Sequence, residues 1–353
     1  MLFRSRPLCG KMEDGPQQKM QHDLTRAAMH AVRDRVSRAA AATPHSRRAM
    51  RRVEAARGHA AGAYLRQAPQ PYGWRRTLPD GRKFPDGLTS HHFRITVARH
   101  LQLPIFERYA GRPCPLCGGH LDAQGDHVDA CAAMKGLRNT AHNHGRDAVC
   151  TLFMDAKMRP TLEKRHLQPD APYMRPADIY VPDDAPHGLA RRGDASQQGK
   201  SVCIDVTHRQ VLCASHVGRP VADALQDAHA EKAARAAPPG CFMWPLAWSS
   251  CGSWHESSLR TTVRSLAAAM WAGEPDEDET TSVRSAQRQI ELVWLPRLSA
   301  AAHWGTAEAV LHLFRAVQRA TDGKVAGQPE EDVQRSDVAG TATNTAVLMG
   351  VLV

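Results

Sequence analysis

The segment Ser201–His208 constrains the fold of this chain more than any other. It reads Ser-Val-Cys-Ile-Asp-Val-Thr-His, so β-branched apolar residues alternate with Cys203, Asp205 and Thr207. This alternation predicts a strand with one buried face. A carboxylate in the middle of such a strand is costly to desolvate, so it needs a partner such as a metal ion, a lysine or a backbone N–H group. We interpret Asp205 as a metal ligand.

A second constraint comes from clustered cysteines. Cys-Pro-Leu-Cys-Gly-Gly at residues 114–119 is followed by Gly-Asp-His-Val-Asp-Ala-Cys at residues 125–131. Two cysteines separated by two residues can form a knuckle that donates two thiolates to one ion, and a nearby His and Cys can complete a tetrahedral site. The pattern predicts a structural zinc site formed by Cys114, Cys117, His127 and Cys131. Alternative readings replace His127 by His120, His142 or His144, or treat the cysteines as unrelated free thiols.

The charge of the chain is uneven. Over 353 residues the net charge is +10, and residues 1–60 hold thirteen Lys and Arg against five Asp and Glu. Such a balance favours a polyanionic partner, DNA or also RNA, although a basic arm can also be only solubilising. The run from Ser46 to Arg52 suits nuclear import or phosphate contacts. No apolar run approaches the roughly 18 residues of a membrane span, so we expect an intracellular, nuclear protein without a membrane partner.

The order of predicted elements indicates the fold class. Strand patterns occur at residues 160–164, 177–181, 202–207 and 241–249, and helical patterns at residues 90–101, 140–158, 221–237, 257–271, 283–294 and 306–319. This order predicts an α/β fold in which helices flank a mixed sheet. The last two helices are expected to pack outside the core.

A second aspartate lies on a neighbouring predicted strand. If the strand that begins near Asp178 pairs with that of Asp205, the two carboxylates can hold one hard divalent cation such as Mg²⁺, the apparatus of phosphodiester hydrolysis. Such sites often add a lysine two residues after the second acid, but Thr207 stands there. Lys232 continues the apolar stripe of the next helix and is the predicted replacement, whereas the alternative is a lysine that only extends to solvent. Glu163 is a candidate additional acid.

Together, Asp178, Asp205 and Lys232 resemble the core of PD-(D/E)XK, restriction-endonuclease-like nucleases, with the lysine moved to a helix. Over residues 60–320 the wider pattern is similar to the C-terminal region of non-LTR retrotransposon and related reverse-transcriptase proteins. Its pieces, in chain order, are Ala63-Tyr-Leu65 with Pro69, Leu101-Gln-Leu-Pro104, both cysteine segments, His142-Asn143, Arg-Pro-Ala-Asp, Ile-Asp-Val-Thr, Glu231-Lys232, and Phe242 to Gly252.

The resemblance implies a restriction-endonuclease-like fold with structural Zn²⁺ and catalytic Mg²⁺, acting on DNA. The sequence departs from the family pattern in three ways. Ala177 separates Pro176 from Asp178 where the family has a Pro-Asp pair, the loop 182–200 is long, and there is no polymerase Tyr/Phe-Ala-Asp-Asp box.

The sequence as a whole predicts these divisions: a basic, partly helical or disordered arm (1–58), a linker with a packing helix (59–110), a zinc knuckle (111–138), a nuclease-like core (139–272), an acidic loop with accessory helices (273–320) and a disordered tail (321–353).

Two functions follow as hypotheses. The first is a metal-dependent DNA endonuclease of retroelement origin. The alternative is a catalytically inactive, zinc-containing remnant that binds nucleic acid. A third, minor reading makes Cys150 or Cys203 a thiol nucleophile.

Overall fold

The computed structural model describes residues 46–56, 76–84, 87–100, 103–182, 199–213, 215–271 and 279–325. The predictions made for residues 1–45, for most of the acidic loop and for residues 326–353 lie outside these ranges. Within them the chain is a mixed α/β protein, as the sequence predicted. A short hairpin of β1 (Arg76–Thr77) and β2 (Lys83–Phe84) precedes the main sheet.

The main sheet has four strands in the order β3-β4-β5-β6, and each lies within or close to a predicted strand. They are β3 (Thr161–Leu162), β4 (Ile179–Val181), β5 (Ser201–Arg209) and β6 (Cys241–Ser249). The pairs β3–β4 and β4–β5 are antiparallel, and β5–β6 is parallel. The parallel pair is joined through α5 (Val221–Ala233), the crossover that such a pair requires.

Both faces of β5 are buried, so the expectation of one buried face was wrong. Val202, Ile204 and Val206 belong to the main hydrophobic core. The opposite face lies under α5, and Asp205 there is only 4% exposed. Helices cover both sides of the sheet, which is why alternation in the sequence did not mark an exposed face.

Three long helices enclose the main core. They are α4 (Lys135–Asp155), α6 (Glu256–Trp271) and α7 (Glu279–Val325). Where the sequence predicted two accessory helices and a tail beginning at residue 321, the structure has this single 47-residue helix with Pro296 inside it. Trp294, Leu295 and Leu298 are buried in the main core, because the apolar side of α7 faces α4 and α6. The residues predicted to form two helices outside the core therefore form one helix that is part of the core.

The close approach of α4 and α7 depends on a glycine. A Cβ atom at Gly305 would lie 2.0 Å from the Cβ atom of Ala141. We predict that Gly305→Ala separates the two helices and lowers the free energy of unfolding by about 1–3 kcal/mol, the usual range for overpacking. Urea unfolding measures this, with Gly136→Ala as control, because a Cβ at Gly136 meets nothing within 4 Å. Equal midpoints in the two variants would contradict the prediction.

A second core joins the cysteine segments to the rest of the protein. It contains Ile95 of α2 (Ser90–His100), Phe106, Met134 and Leu313 of α7. The helix α3 (His127–Ala130) and a 3₁₀ turn at Ala132–Met134 lead from it into α4. The cysteine segments thus pack on the C-terminal half of α7.

The helix α1 (Ser46–Ala56) is the described part of the basic arm. Ala55 is buried beside α5, in a third small core. No helix in the described ranges combines the length and apolar character that a bilayer span requires.

Candidate functional site

Cys114, Cys117, His127 and Cys131 lie together, as the sequence predicted. Their ligand atoms are all within 4.8 Å of one another, and the Nε2 atom of His127 is 3.2 Å from the Sγ atom of Cys117. Ligand atoms on a tetrahedral zinc ion with bonds of about 2.3 Å are separated by roughly 3.8 Å. The cluster could therefore bind zinc with little rearrangement.

The alternative histidines lie elsewhere. The Nδ1 atom of His120 is 3.2 Å from the carbonyl oxygen of Gly111. His144 is buried against Trp304, with ring centroids 4.4 Å apart, and burial lowers its pKa to about 3. His142 lies beside Asp178. His127 is thus the histidine in the cluster.

The knuckle is shaped by backbone hydrogen bonds around Cys114. The Gly118 N–H donates to the Cys114 carbonyl at 2.8 Å, and the Leu116 N–H donates to the Cys114 sulfur at 3.4 Å. Gly118 has φ +75°, a left-handed conformation that a residue with a side chain adopts only with strain. All of these contacts lie within the local sequence Cys-Pro-Leu-Cys-Gly.

The other half of the cluster is held by two polar residues that the sequence reading missed. The Asp122 carboxylate accepts hydrogen bonds from the N–H groups of Asp126 (2.8 Å) and His127 (2.6 Å) at the start of α3. Arg99 of α2 is buried and donates to Asp129 at 2.7 Å and to the Gly125 carbonyl at 2.7 Å. These contacts hold α3, and with it His127, beside the cysteines.

The charge of Arg48 on α1 acts on His127 of the cluster. Burial lowers the pKa of His127, the charge of Asp122 opposes this, and the charge of Arg48 adds to the lowering. Burial also raises the pKa of Cys131 to about 12. Zinc ligation requires the thiolate, so metal binding would release protons.

Asp178 and Asp205 occupy facing positions on neighbouring strands. Ile179 pairs with Ile204 in the antiparallel register, so Asp178, which directly precedes β4, lies opposite Asp205. Facing residues in such a pair have Cβ atoms roughly 5 Å apart and project from the same face. The Val206 N–H donates to Asp178 Oδ2 at 2.7 Å, where regular pairing of the two strands ends.

Two cations of α5 and its C-terminal extension contact Asp205. Lys232 Nζ is 2.8 Å from Asp205 Oδ1, and Arg235 Nη1 is 3.0 Å from Oδ2. The Lys232 side chain is 15% exposed, so it does not simply extend to solvent. The structure thus brings together Asp178, Asp205 and Lys232, and adds Arg235, which the sequence reading missed although it follows Lys232 by one helical turn.

The pKa values of Asp178 and Asp205 are shifted in opposite directions. Burial raises the pKa of Asp205, and the hydrogen bond and charge of Lys232 only partly offset this. Burial also tends to raise the pKa of Asp178. The hydrogen bond and charge of His142, together with the hydrogen bond from the Val206 N–H, outweigh this and lower its pKa. Opposed shifts in adjacent acids are typical of catalytic sites, although ion-pair networks also produce them.

His142 is the second residue, after Arg235, that the sequence did not predict beside these acids. Its Nε2 atom is 2.9 Å from the Val206 carbonyl oxygen and 3.5 Å from Asp178 Oδ2. Burial lowers its pKa, but the hydrogen bond and charge of Asp178 outweigh this and raise it. Because α4 begins at Lys135, His142 lies in its third turn and does not cap the helix.

Glu163 lies beside the acids, but its carboxylate points to arginines. Its N–H donates to the Asp178 carbonyl at 2.8 Å, while its two oxygens pair with Arg146 and Arg175. Arg146 is itself buried and also binds Asp147. Within the described ranges, no hydrogen bond or ion pair joins the Glu163 carboxylate to Asp205 or Lys232.

The thiols considered as nucleophiles are fully buried. Cys150 and Cys203 are both 0% exposed. Burial raises the pKa of each to about 12, so both stay protonated at neutral pH. The thiolate is the reactive form of cysteine, so this environment disfavours nucleophilic catalysis by either residue.

No protein-family model matches the sequence, and a comparison with curated proteins finds no match. The site must therefore be interpreted from its own geometry.

Proposed function

We propose that this protein is a metal-dependent DNA endonuclease with a restriction-endonuclease-like core. One observation carries the proposal: the strand register sets Asp178 opposite Asp205, with Lys232 Nζ 2.8 Å from Asp205 Oδ1. Two facing carboxylates, one of them paired with an ammonium group, are the residue set that phosphodiester hydrolysis with a hard cation uses. The motif order supports a retroelement origin, and the basic composition supports a nuclear location.

The donor set fits Mg²⁺, which prefers carboxylate oxygens. The Val206 N–H and the His142 Nε2 atom both contact Oδ2 of Asp178, so Oδ1 is the oxygen it would offer to the ion. A bound Mg²⁺ ion would stabilise charge on the phosphate and lower the pKa of the attacking water. Lys232 orients this water through Nζ, and Arg235, which is half-exposed, neutralises charge on the phosphate.

The Cys₃His cluster has a structural part in the proposal. Its three thiolates and one imidazole would fill all four positions of a zinc ion, leaving none for a substrate. Arg138 donates from Nη1 to the Cys131 carbonyl at 3.2 Å, which connects the cluster to α4 and so to His142. Zinc would thereby stabilise one side of the nuclease site.

Cleavage of supercoiled plasmid DNA tests the proposal. We expect the purified, zinc-loaded protein to nick the plasmid only with Mg²⁺, and Asp178→Ala and Asp205→Ala each to slow nicking by roughly a hundredfold or more, since such ligands contribute several kcal/mol. Asp170→Ala is the matched control, because Asp170 is an exposed carboxylate outside the site. Absence of Mg²⁺-dependent nicking, or nicking by Asp205→Ala at the wild-type rate, would refute the proposal.

His142 is expected to act as a positioning residue for Asp178. Its Nε2 atom bonds the Val206 carbonyl oxygen and lies 3.5 Å from Asp178 Oδ2, the same oxygen that accepts the Val206 N–H, so His142 helps to hold Oδ2 turned towards the backbone. We predict that His142→Ala raises the half-saturating Mg²⁺ concentration about tenfold with a smaller effect on the maximal nicking rate. His142→Gln can still donate one hydrogen bond and should recover part of the Mg²⁺ affinity. An unchanged Mg²⁺ dependence in His142→Ala would contradict this role.

A second candidate function is zinc-dependent binding of nucleic acid without hydrolysis. Both oxygens of Asp205 are paired with Lys232 and Arg235, a stable arrangement that needs no metal ion. Thr207, in the place expected for a lysine, also favours it. DNA binding that requires zinc, in preparations without Mg²⁺-dependent nicking, would support this function over the first.

A further inference from the structure

The helix α1 carries charges that the proposed catalytic site does not use. Arg47 is exposed and Arg48 half-buried. Among the residues that the structure describes, no carboxylate forms an ion pair with either guanidinium group. Unpaired arginines on one helix are the electrostatic signature of a phosphate-binding surface.

This helix is attached to the catalytic core by specific contacts. Glu54 accepts a hydrogen bond through Oε1 from the Val221 N–H (2.9 Å) at the N-terminus of α5, and its other oxygen pairs with Arg51 at 2.5 Å. Arg51 Nε also donates to the Val217 carbonyl at 3.2 Å, and Ala55 is 1% exposed. A carboxylate at a helix N-terminus is favourable for the exposed N–H groups and the helix dipole. Glu54 thus fixes α1 to the same helix that carries Lys232.

We propose that α1 binds the phosphate backbone of duplex DNA and that Glu54 holds it in register with the catalytic core. The inference rests on the proposed function, because it names the surface that would hold the DNA for cleavage. Duplex DNA fits because its closely spaced phosphates supply the negative charge that the adjacent, unpaired Arg47 and Arg48 lack within the described residues. Arg47 and Arg48 would contact phosphates, while Arg51 and Glu54 keep the helix in place.

Binding of a fluorescent DNA duplex to the full-length, zinc-loaded protein without Mg²⁺ tests the inference at several salt concentrations. If each arginine contacts one phosphate, Arg47→Gln/Arg48→Gln should reduce the slope of log affinity against log salt by about 1.8. Arg260→Gln/Arg264→Gln removes the same charge from α6, which packs on the other face of the sheet, and should change the slope little. Equal changes in the two double variants would overturn the proposal.

Glu54→Ala separates fixed attachment from simple charge attraction. This variant keeps every arginine and raises the net charge, so attraction alone predicts tighter binding. Loss of the anchor instead predicts weaker binding, by about tenfold at low salt, whereas Glu54→Gln retains an acceptor for the Val221 N–H and should bind nearly as wild type. Binding by Glu54→Ala as tight as wild type would overturn the anchoring role. None of these measurements requires cleavage, so failure of the nuclease proposal would appear separately, as DNA binding without nicking.

Discussion

Removing zinc with a chelator, or replacing Cys131 with Ser, is expected to unfold the region from Ile105 to Met134. This region is short and its buried apolar side chains form only one small core, shared with α2 and α7. Structural zinc contributes about 10–16 kcal/mol of apparent binding free energy in small zinc modules. Amide hydrogen exchange should show loss of protection at Cys114, Gly118 and Leu121, whose N–H groups are bonded within the region. The strands β5 and β6, in the main core, should retain theirs.

A different thiol supplies the control for this experiment. Cys213 is half-buried, lies outside the cluster, and donates from Sγ to the Gln210 carbonyl at 2.9 Å, a bond that a serine hydroxyl can also make. Cys213→Ser should therefore bind one zinc ion per chain and keep full protection. Zinc-free protein whose residues 105–134 exchange as slowly as those of the zinc-loaded protein would show that the second core folds without metal.

Local sequence patterns were sufficient to predict the cysteine cluster and the strands of the main sheet. The ligands of the cluster lie within eighteen residues, and a single glycine with positive φ closes its turn. The strand β5 was evident from its β-branched residues. The burial of its second face was not evident. That face is covered by α5, a helix that follows later in the chain, and the alternation within β5 does not show that a helix will cover it.

The unpredicted parts of the site depend on contacts between distant segments. His142 reaches Asp178 because α4 packs against β5, where the His142 Nε2 atom also contacts the Val206 carbonyl oxygen. Arg99 reaches Asp129 only because α2 packs beside α3. Likewise, the fusion of two predicted helices into α7 depends on core packing on both sides of Pro296, which offsets the hydrogen bond lost at proline. None of these contacts leaves a periodic signal in the sequence.

Replacing Lys232 with Met is expected to lower the free energy of unfolding at pH 7 by about 3–5 kcal/mol. The Asp205 side chain is 5% exposed, and removal of one partner leaves a buried carboxylate with only half-exposed Arg235 to pair with it. Methionine has nearly the volume of the lysine stem, so the loss reports charge and not a cavity. Urea unfolding monitored by tryptophan fluorescence measures it.

The pH dependence of the stability lost in Lys232→Met shows whether the unpaired charge of Asp205 causes the loss. Burial already raises the pKa of Asp205 above its usual value, and loss of the Lys232 hydrogen bond and charge raises it further. A carboxyl group with a raised pKa contributes stability below the pKa of the unfolded chain, and this is lost as pH rises through the folded pKa. The difference in stability between wild type and Lys232→Met should therefore narrow as the pH falls from 7 towards 4.

The double variant Lys232→Met/Asp205→Asn separates stability from catalysis. With no charge to compensate, it should recover much of the stability lost in Lys232→Met, and a double-mutant cycle should give a coupling energy of about 1–3 kcal/mol. It should nevertheless remain inactive in the nicking assay, because it lacks both the carboxylate that we propose binds Mg²⁺ and the ammonium group beside it. A difference that stays constant with pH, together with no recovery in the double variant, would mean that Lys232 stabilises the fold by packing and not through Asp205. The carboxylate at the centre of β5 would then require another explanation.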